Sequence, residues 1–313
     1  RKNVAIITYT NAACDEIIHR LKNDPTFAVS TIHSFAWELI RHYTADIKNW
    51  LRNTLNKEID ELEIEESKGR PGTKTSVDRK RKIENKKNRL STLDRISKFA
   101  YNPNGDNIED NSLSHTEVIS ISAFFLENKP LFQKILIQKY PILLVDESQD
   151  TKKELINALF MVQEKNKNFS LGLFGDTMQR IYTDGKENLG TNLPNDWYKP
   201  EKKLNHRCPK RVVTLINKIR SDADGIEQLP RTDKEDGFVR FFIIPSDVDN
   251  KIAIENAIKQ KMAEITGDDL WINSSDEKAV KTLTLEHHMA AKRMGFDDLF
   301  ASLYKVERYR IGL

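Results

Sequence analysis

An uninterrupted apolar run, Ile142-Leu143-Leu144-Val145, ends abruptly in the adjacent acids Asp146 and Glu147 and continues as Ser148-Gln149-Asp150-Thr151. A short apolar run bounded by polar residues predicts a β-strand. In open α/β sheets, ligands bind at the carboxyl ends of the strands, so this strand delivers two acids to the edge where Mg²⁺ and phosphate chemistry is done. The first carboxylate can hold Mg²⁺ directly or through water, and the second is placed to polarise a water attacking a terminal phosphate. The plain alternative is an ordinary acidic strand-to-helix turn with Asp146 or Asp150 as an N-cap.

The surrounding pattern supports a sheet of that kind. Val4-Ala5-Ile6-Ile7 runs into Thr8-Tyr9-Thr10-Asn11 and an amphipathic stretch through Leu21, which reads as strand, loop and helix. A second such unit follows, with a strand at Ala28-Val29-Ser30, a polar turn from Thr31 to Ser34 and a helix from Phe35 to about His42. Two consecutive units of this type favour a parallel α/β sheet. From about Leu51 to Phe99 the composition changes. An acidic arm (Glu58, Asp60, Glu61, Glu63, Glu65, Glu66) is followed by the turn Lys68-Gly69-Arg70-Pro71-Gly72 and a basic arm from Arg79 to Arg89. Leu51, Leu55, Ile59 and Leu62, then Ile83, Leu90, Leu93 and Ile96, carry helical spacing, so the stretch predicts an inserted pair of antiparallel helices zipped by opposite charge. A rival use of the basic run is contact with duplex phosphates.

Helices are predicted over Glu117 to Leu126, Pro130 to Gln138, Lys152 to Glu164 and Pro209 to Arg220, with a further strand at Leu171 to Phe174. A smaller α/β unit is expected beyond: strand Phe238 to Ile244, helix Asn250 to Ile265, strand Val280 to Thr284 and helix Glu286 to Met294. The 313 residues exceed one ordinary domain, and 50 Lys+Arg against 47 Asp+Glu leave a net charge of +3, which neither demands nor forbids nucleic acid. No apolar run approaches the roughly 20 residues that span a bilayer. The start Arg1-Lys2 is followed by no secretory apolar segment, so a cytoplasmic protein without membrane contact is expected. Cys14 and Cys208 form no metal-binding spacing, and the neighbours His287 and His288 point to different helix faces, so no metal beyond Mg²⁺ is expected.

The strand Leu171-Gly172-Leu173-Phe174 runs into Gly175-Asp176-Thr177-Met178-Gln179-Arg180-Ile181-Tyr182. A glutamine there can bond both a nucleotide phosphate and the attacking water, and an aromatic just beyond can stack on a base; a polar surface loop anchored by Ile181 and Tyr182 is the plainer reading. Taken in order, these segments resemble the UvrD/Rep-like superfamily 1 DNA helicases. Thr8-Tyr9-Thr10-Asn11-Ala12-Ala13 is similar to the family's T-F-T-N-x-A-A, Thr31-Ile32-His33-Ser34-Phe35 to T-x-H-S-F, and Val145 to Thr151 to V-D-E-x-Q-D-T. Gly175 to Tyr182 is similar to G-D-x-x-Q-S-I-Y, and Leu204-Asn205-His206-Arg207-Cys208 to L-x-x-N-Y-R-S.

The resemblance implies a RecA-like, parallel-sheet P-loop NTPase domain with a helical insertion and part of a second RecA-like domain. Residues 1–50 and 116–203 would form the first motor domain, 51–115 the insertion and 204–313 the second domain. It implies ATP and Mg²⁺ as cofactors and single-stranded DNA or single/double-strand junctions as partner, with travel 3′ to 5′. Asp146 would bind Mg²⁺, Glu147 act as catalytic base, Gln149 and Gln179 sense the γ-phosphate, and Arg207 reach across as an arginine finger. Thr8, Thr10, Asn11, His33, Ser34 and Tyr182 would line the DNA track. The family's phosphate loop, G-x-x-x-x-G-K-T, is expected upstream of Val4, and the motifs that complete the second domain beyond Leu313. Gly69 to Thr75 has the wrong spacing for that loop and reads as a hairpin turn, while Thr183-Asp184-Gly185 stands where the family has G-W-R. The rival class is a non-hydrolysing, helicase-derived subunit that binds nucleic acid or docks on an unidentified protein partner.

Overall fold

The structure is a computed structural model that describes every residue other than 1–2, 104–106, 108, 182–184, 187–188, 191–192, 194–195, 246, 248–249, 274–278, 285 and 306–313. The chain divides into two units, Arg1–Lys199 and Pro200–Leu313. In the first, strands β1 (Val4–Thr8) and β2 (Phe27–Thr31) are each followed by a helix, α1 (Asn11–Arg20) and α2 (Ile32–Ile40). Then come the long helices α3 (Thr44–Lys68) and α4 (Lys74–Thr92), α5 (His115–Asn128), α6 (Pro130–Lys139), strand β3 (Ile142–Val145), α7 (Lys153–Lys165) and strand β4 (Ser170–Leu173).

The four strands form one parallel sheet in the order β2-β1-β3-β4. The register is level: Thr8 lies beside Thr31, Ile7 beside Val145, and Val145 beside Leu173. Because all strands run the same way, the four segments that follow them emerge along one edge. Ala5, Ile7, Leu143 and Val145 are fully buried beneath that edge. α5 packs against both α2 and α7. Its Val118, Ile119, Ile121, Phe125 and Leu126 are buried, as befits a helix apolar nearly all round. A capping box between Ser114 and Glu117 fixes where it starts.

The insertion is a helical hairpin. Ile47, Leu51, Leu55 and Ile59 anchor α3, and Leu93 and Ile96 anchor the return. Further out, Glu58 meets Lys86 and Glu63 meets Lys87, each at 2.6 Å, and Glu66 meets Arg79 at 2.7 Å. The Glu66 carboxyl is held below the usual carboxylate range by hydrogen bonds from Ser76 and Arg79. The basic arm is thus engaged chiefly with the acidic one.

In the second unit, β5 (Leu204–Asn205) pairs in parallel with β6 (Leu229–Pro230), and helices α8 (Lys210–Ser221), α9 (Lys251–Thr266), α10 (His287–Met294) and α11 (Asp297–Tyr304) surround short turns. Two expectations are corrected here. Phe238–Ile244 and Val280–Thr284 are not strands. β-propensity expresses side-chain packing on a paired sheet rather than a backbone preference, and among the described residues neither run has a paired neighbour. Phe241 and Leu283 are accordingly almost fully exposed.

Candidate nucleotide and nucleic-acid site

The edge of the sheet gathers the predicted residues of the first unit. At the end of β3, the Asp146 N–H donates to the Ile7 carbonyl at 2.8 Å, extending the ladder by one residue. The Thr8 hydroxyl donates to Asp146 Oδ2 at 3.2 Å. Thr8 is fully buried, with its hydroxyl on the first acid.

Glu147 turns the chain with φ +50°, one of three non-glycine residues in the left-handed region among the described residues. That conformation costs an ordinary side chain about 1–2 kcal/mol, so its surroundings must hold it. They do. Ser148 donates through both its N–H and its hydroxyl to the Phe174 carbonyl, each at 2.9 Å, tying the turn to the end of β4. The Gln149 Nε2 donates to Glu147 Oε2 at 2.6 Å and to Asp150 Oδ2 at 3.3 Å, while its Oε1 accepts from the Asp176 N–H at 3.2 Å. Asp150 Oδ1 in turn accepts from the Ile181 N–H at 2.9 Å.

Gln149 has 1% of its surface exposed, and both ends of its amide are engaged, one with Glu147 and the other with the β4 loop. Gly175 makes room for it, because a Cβ there would stand 2.3 Å from Gln149 Oε1 and 2.9 Å from Ser148 Oγ. Gln179 sits on the same loop, exposed, with its Nε2 on Asp176 Oδ2 at 3.0 Å. Sequence reasoning missed Ser148, Gly175 and Asp176 as parts of this arrangement. The glycine two residues beyond β4 was the available signal.

At the neighbouring strand ends, Thr10 caps α1 by accepting the Ala13 N–H, and Thr31 caps α2 by accepting the Ser34 N–H at 3.2 Å. Thr10 and Asn11 are exposed, and Ser34 is half-buried with its hydroxyl on Thr31. His33, in the first turn of α2, lies edge-on to His115 with ring centroids 5.2 Å apart. Burial first, and then His115 and Lys152, push the His33 imidazole down to about 4. Tyr182 lies outside the described residues. Arg207 belongs to the second unit, where it is exposed just after β5; the Asn205 side chain accepts both the Arg207 and Cys208 N–H groups, at 3.0 and 2.9 Å, and shapes the turn.

Other singled-out residues serve packing. Burial pushes the Cys14 thiol up, and His288 packs on Phe300 and Tyr304 at 4.6 and 4.9 Å. Among the described residues, no group of three or more His, Cys, Asp or Glu side chains could hold a metal, and no helix is long and apolar enough to cross a membrane.

Comparison with known proteins decides the family, since the profile of the UvrD/REP helicase N-terminal domain matches residues 1–183, the whole sheet and its edge. The chain belongs to the UvrD/REP helicase family. It is 25% identical to the Gabija protein GajB of Bacillus cereus (strain HuB5-5), over 99% of this chain and 53% of that one. It is 27% identical to the ATP-dependent DNA helicase Rep of Buchnera aphidicola subsp. Schizaphis graminum (strain Sg), over 58% of this chain and 30% of that one. The chain thus spans about half or less of the curated relatives it matches. Family membership accounts for the parallel α/β sheet with acids at its edge.

Proposed function

We propose that this chain is the motor portion of an ATP-dependent DNA helicase or translocase that moves 3′ to 5′ on single-stranded DNA and opens duplex at its junctions. The observation that carries the reading is the held conformation of Glu147. A carboxylate fixed in the left-handed region by a buried amide, beside an acid gripped by a buried hydroxyl, is strain maintained at a sheet edge where ligands bind.

The donor set fits Mg²⁺. That ion keeps several waters and takes one or two protein carboxylates together with substrate phosphates, and Asp146, its Oδ2 bonded by the Thr8 hydroxyl, is one such carboxylate. Asp146 would hold the ion, which, when bound, neutralises charge on the nucleotide phosphates. Glu147 accepts the proton of the attacking water, its free carboxylate oxygen aimed by the bond that Gln149 makes to the other one. Gln179 orients that water from the β4 loop. The reading gives Arg207 the role of arginine finger, supplied by the second unit, and gives Thr10, Asn11, His33, Ser34 and Tyr182 the strand contacts.

The test uses the full-length protein. DNA-stimulated ATP hydrolysis is expected to vanish in Glu147→Gln and to fall at least a hundredfold in Arg207→Ala. Rates equal to the unaltered protein in both variants would reject the assignment. Strand binding with no hydrolysis in the unaltered full-length protein would instead assign a non-hydrolysing nucleic-acid-binding subunit.

A further inference from the structure

In the second unit, a chain of side-chain amides leads to the turn that carries Arg207. Strand β5 ends at Asn205, whose Oδ1 accepts the N–H groups of Arg207 and Cys208 at 3.0 and 2.9 Å. With that oxygen turned to the backbone, the other end of the Asn205 amide can only donate, and its Nδ2 does so to Gln228 Oε1 at 2.7 Å. Gln228 stands just before β6 and is itself gripped from α8. Asn217 Oδ1 accepts the Gln228 N–H at 2.9 Å, and Asn217 Nδ2 donates to the Gln228 carbonyl at 2.8 Å. One amide thus serves both backbone groups of Gln228, as a neighbouring strand would.

The chain of amides has a physical reason. β5 and β6 are two residues each, and Pro230 has no N–H to give, so backbone pairing alone holds them weakly. The bond from Asn205 to Gln228 adds a side-chain link across the same pair, beside the register partners Leu204 and Leu229. Asn205, Asn217 and Gln228 are half-buried, which shields their bonds in part from water, whereas Arg207 is exposed. On its far side the turn leads through Pro209 into α8, whose Lys210 and Arg211 N–H groups donate to the carbonyls of Glu235 and Asp236 at 3.1 and 2.9 Å. The segment bearing Arg207 is therefore held at both ends by groups distant in sequence.

We propose that Gln228 and Asn217 are positioning residues for Arg207: they fix the Asn205 amide, and through it the backbone from which the guanidinium extends. The inference rests on the arginine-finger reading above and adds what aims that residue. A cation that acts on charge developing in the transition state lowers the barrier without tightening substrate binding, so misplacing it lowers kcat and leaves KM nearly unchanged.

The experiment measures steady-state ATPase of the full-length protein with saturating oligothymidine. A misplacement of about 1 Å can cost about a hundredfold in rate; because Asn205 keeps its bonds to the turn, Gln228→Leu is expected to lower kcat about tenfold with the KM for ATP within about twofold. Gln228→Glu keeps an acceptor for Asn205 Nδ2 and should stay within about threefold of the unaltered rate. In an Arg207→Ala background, Gln228→Leu should cost nothing further, since its effect runs through the missing side chain. Asn217→Ala leaves the Gln228 side chain in place but frees its backbone; it should show the same dependence on Arg207, and it carries the test if Gln228→Leu does not fold. Equal losses with and without Arg207 would show a merely structural amide and overturn the proposal. So would a glutamate variant as slow as the leucine one, or a raised KM with kcat kept. Arg207→Ala at the unaltered rate would overturn the arginine-finger reading and this inference together, whereas a slow Arg207→Ala beside a full-speed Gln228→Leu overturns this inference alone.

Discussion

Replacing Gln149 by leucine separates two roles that its position at the sheet edge allows. The side chain would keep roughly its volume but lose the bond to Glu147 Oε2 at 2.6 Å, the longer one to Asp150 and the acceptor for the Asp176 N–H. A hydrogen bond to a charged group contributes about 1.5–3 kcal/mol, and an orphaned N–H costs about 1–3 kcal/mol. Glu147 and Asp150 are half-buried and regain some water, and release of the Glu147 turn returns about 1–2 kcal/mol of strain. The net loss is about 2–3 kcal/mol, which in a unit the size of Arg1–Lys199 lowers Tm by roughly 4–12 °C. Calorimetry of the full-length protein with and without the substitution reads that shift. Steady-state ATPase in the presence of oligothymidine reads the chemistry: with its carboxylate no longer aimed, kcat should fall about a hundredfold while the KM for ATP stays within twofold, within the usual range for a positioned acid or base. A raised KM with kcat preserved would mean that Gln149 binds nucleotide directly. An unchanged Tm would mean that the bonds described hold nothing.

Gly175→Ala should mimic that variant, because its methyl would intrude on Gln149 Oε1 at 2.3 Å; overpacking of this kind costs about 1–3 kcal/mol, and the double substitution should be little worse than either single one. Thr8→Val removes the hydroxyl that donates to the Asp146 side chain, and is expected to raise the Mg²⁺ concentration needed for half-maximal ATPase several-fold; an unaltered requirement would detach Thr8 from that role. Acid sensitivity should carry the signature of His33. The unfolded chain takes up a proton near the ordinary value of 6.5 whereas the folded one does so only at about 4, so stability that is full above pH 6.5 drains away as the pH falls to 4. That displacement is roughly 3 kcal/mol at full burial, reduced by residual solvent access to about 2 kcal/mol. Urea midpoints at pH 7 and pH 4.5 should therefore lie closer together in His33→Gln than in the unaltered protein. In the hairpin, Arg79→Ala should speed amide exchange at the tip, since both partners of its bond to Glu66 are more than four-fifths buried, whereas the exposed Lys87–Glu63 pair contributes at most about 1 kcal/mol and Lys87→Ala should leave exchange nearly unchanged.

The sheet was legible because its strands are short apolar runs ending in polar segments, and the hairpin because helical spacing and segregated charge agree. The positions of Asp146 and Glu147 followed from their place after β3. The bonds of Gln149 were hidden for a physical reason: whether a side chain beside an acid at a strand end faces ligand or interior depends on where the β4 loop lies, and Ser148 ties that loop in through Phe174, 26 residues away, while Gly175 leaves room for the amide. The bond from Thr8 to Asp146 was hidden likewise, because a hydroxyl at a strand end reads as exposed until the neighbouring strand brings Asp146 against it. In the second unit, Phe238–Ile244 looked like a strand from its apolar and aromatic residues, yet a strand needs a partner for its backbone groups as well as the right side chains. The group of His33, Tyr101 and His115 was invisible in sequence, with 68 residues from His33 to Tyr101 and 14 from Tyr101 to His115, separations that no periodicity could join.

The most direct measurement is a single-turnover experiment with the full-length protein, saturated with oligothymidine and mixed with Mg²⁺ and labelled ATP. If Glu147 is the base held at the sheet edge, Glu147→Gln will bind ATP with undiminished affinity and release no labelled phosphate on the timescale of the unaltered protein. Phosphate release at the same rate in the two proteins would contradict the account.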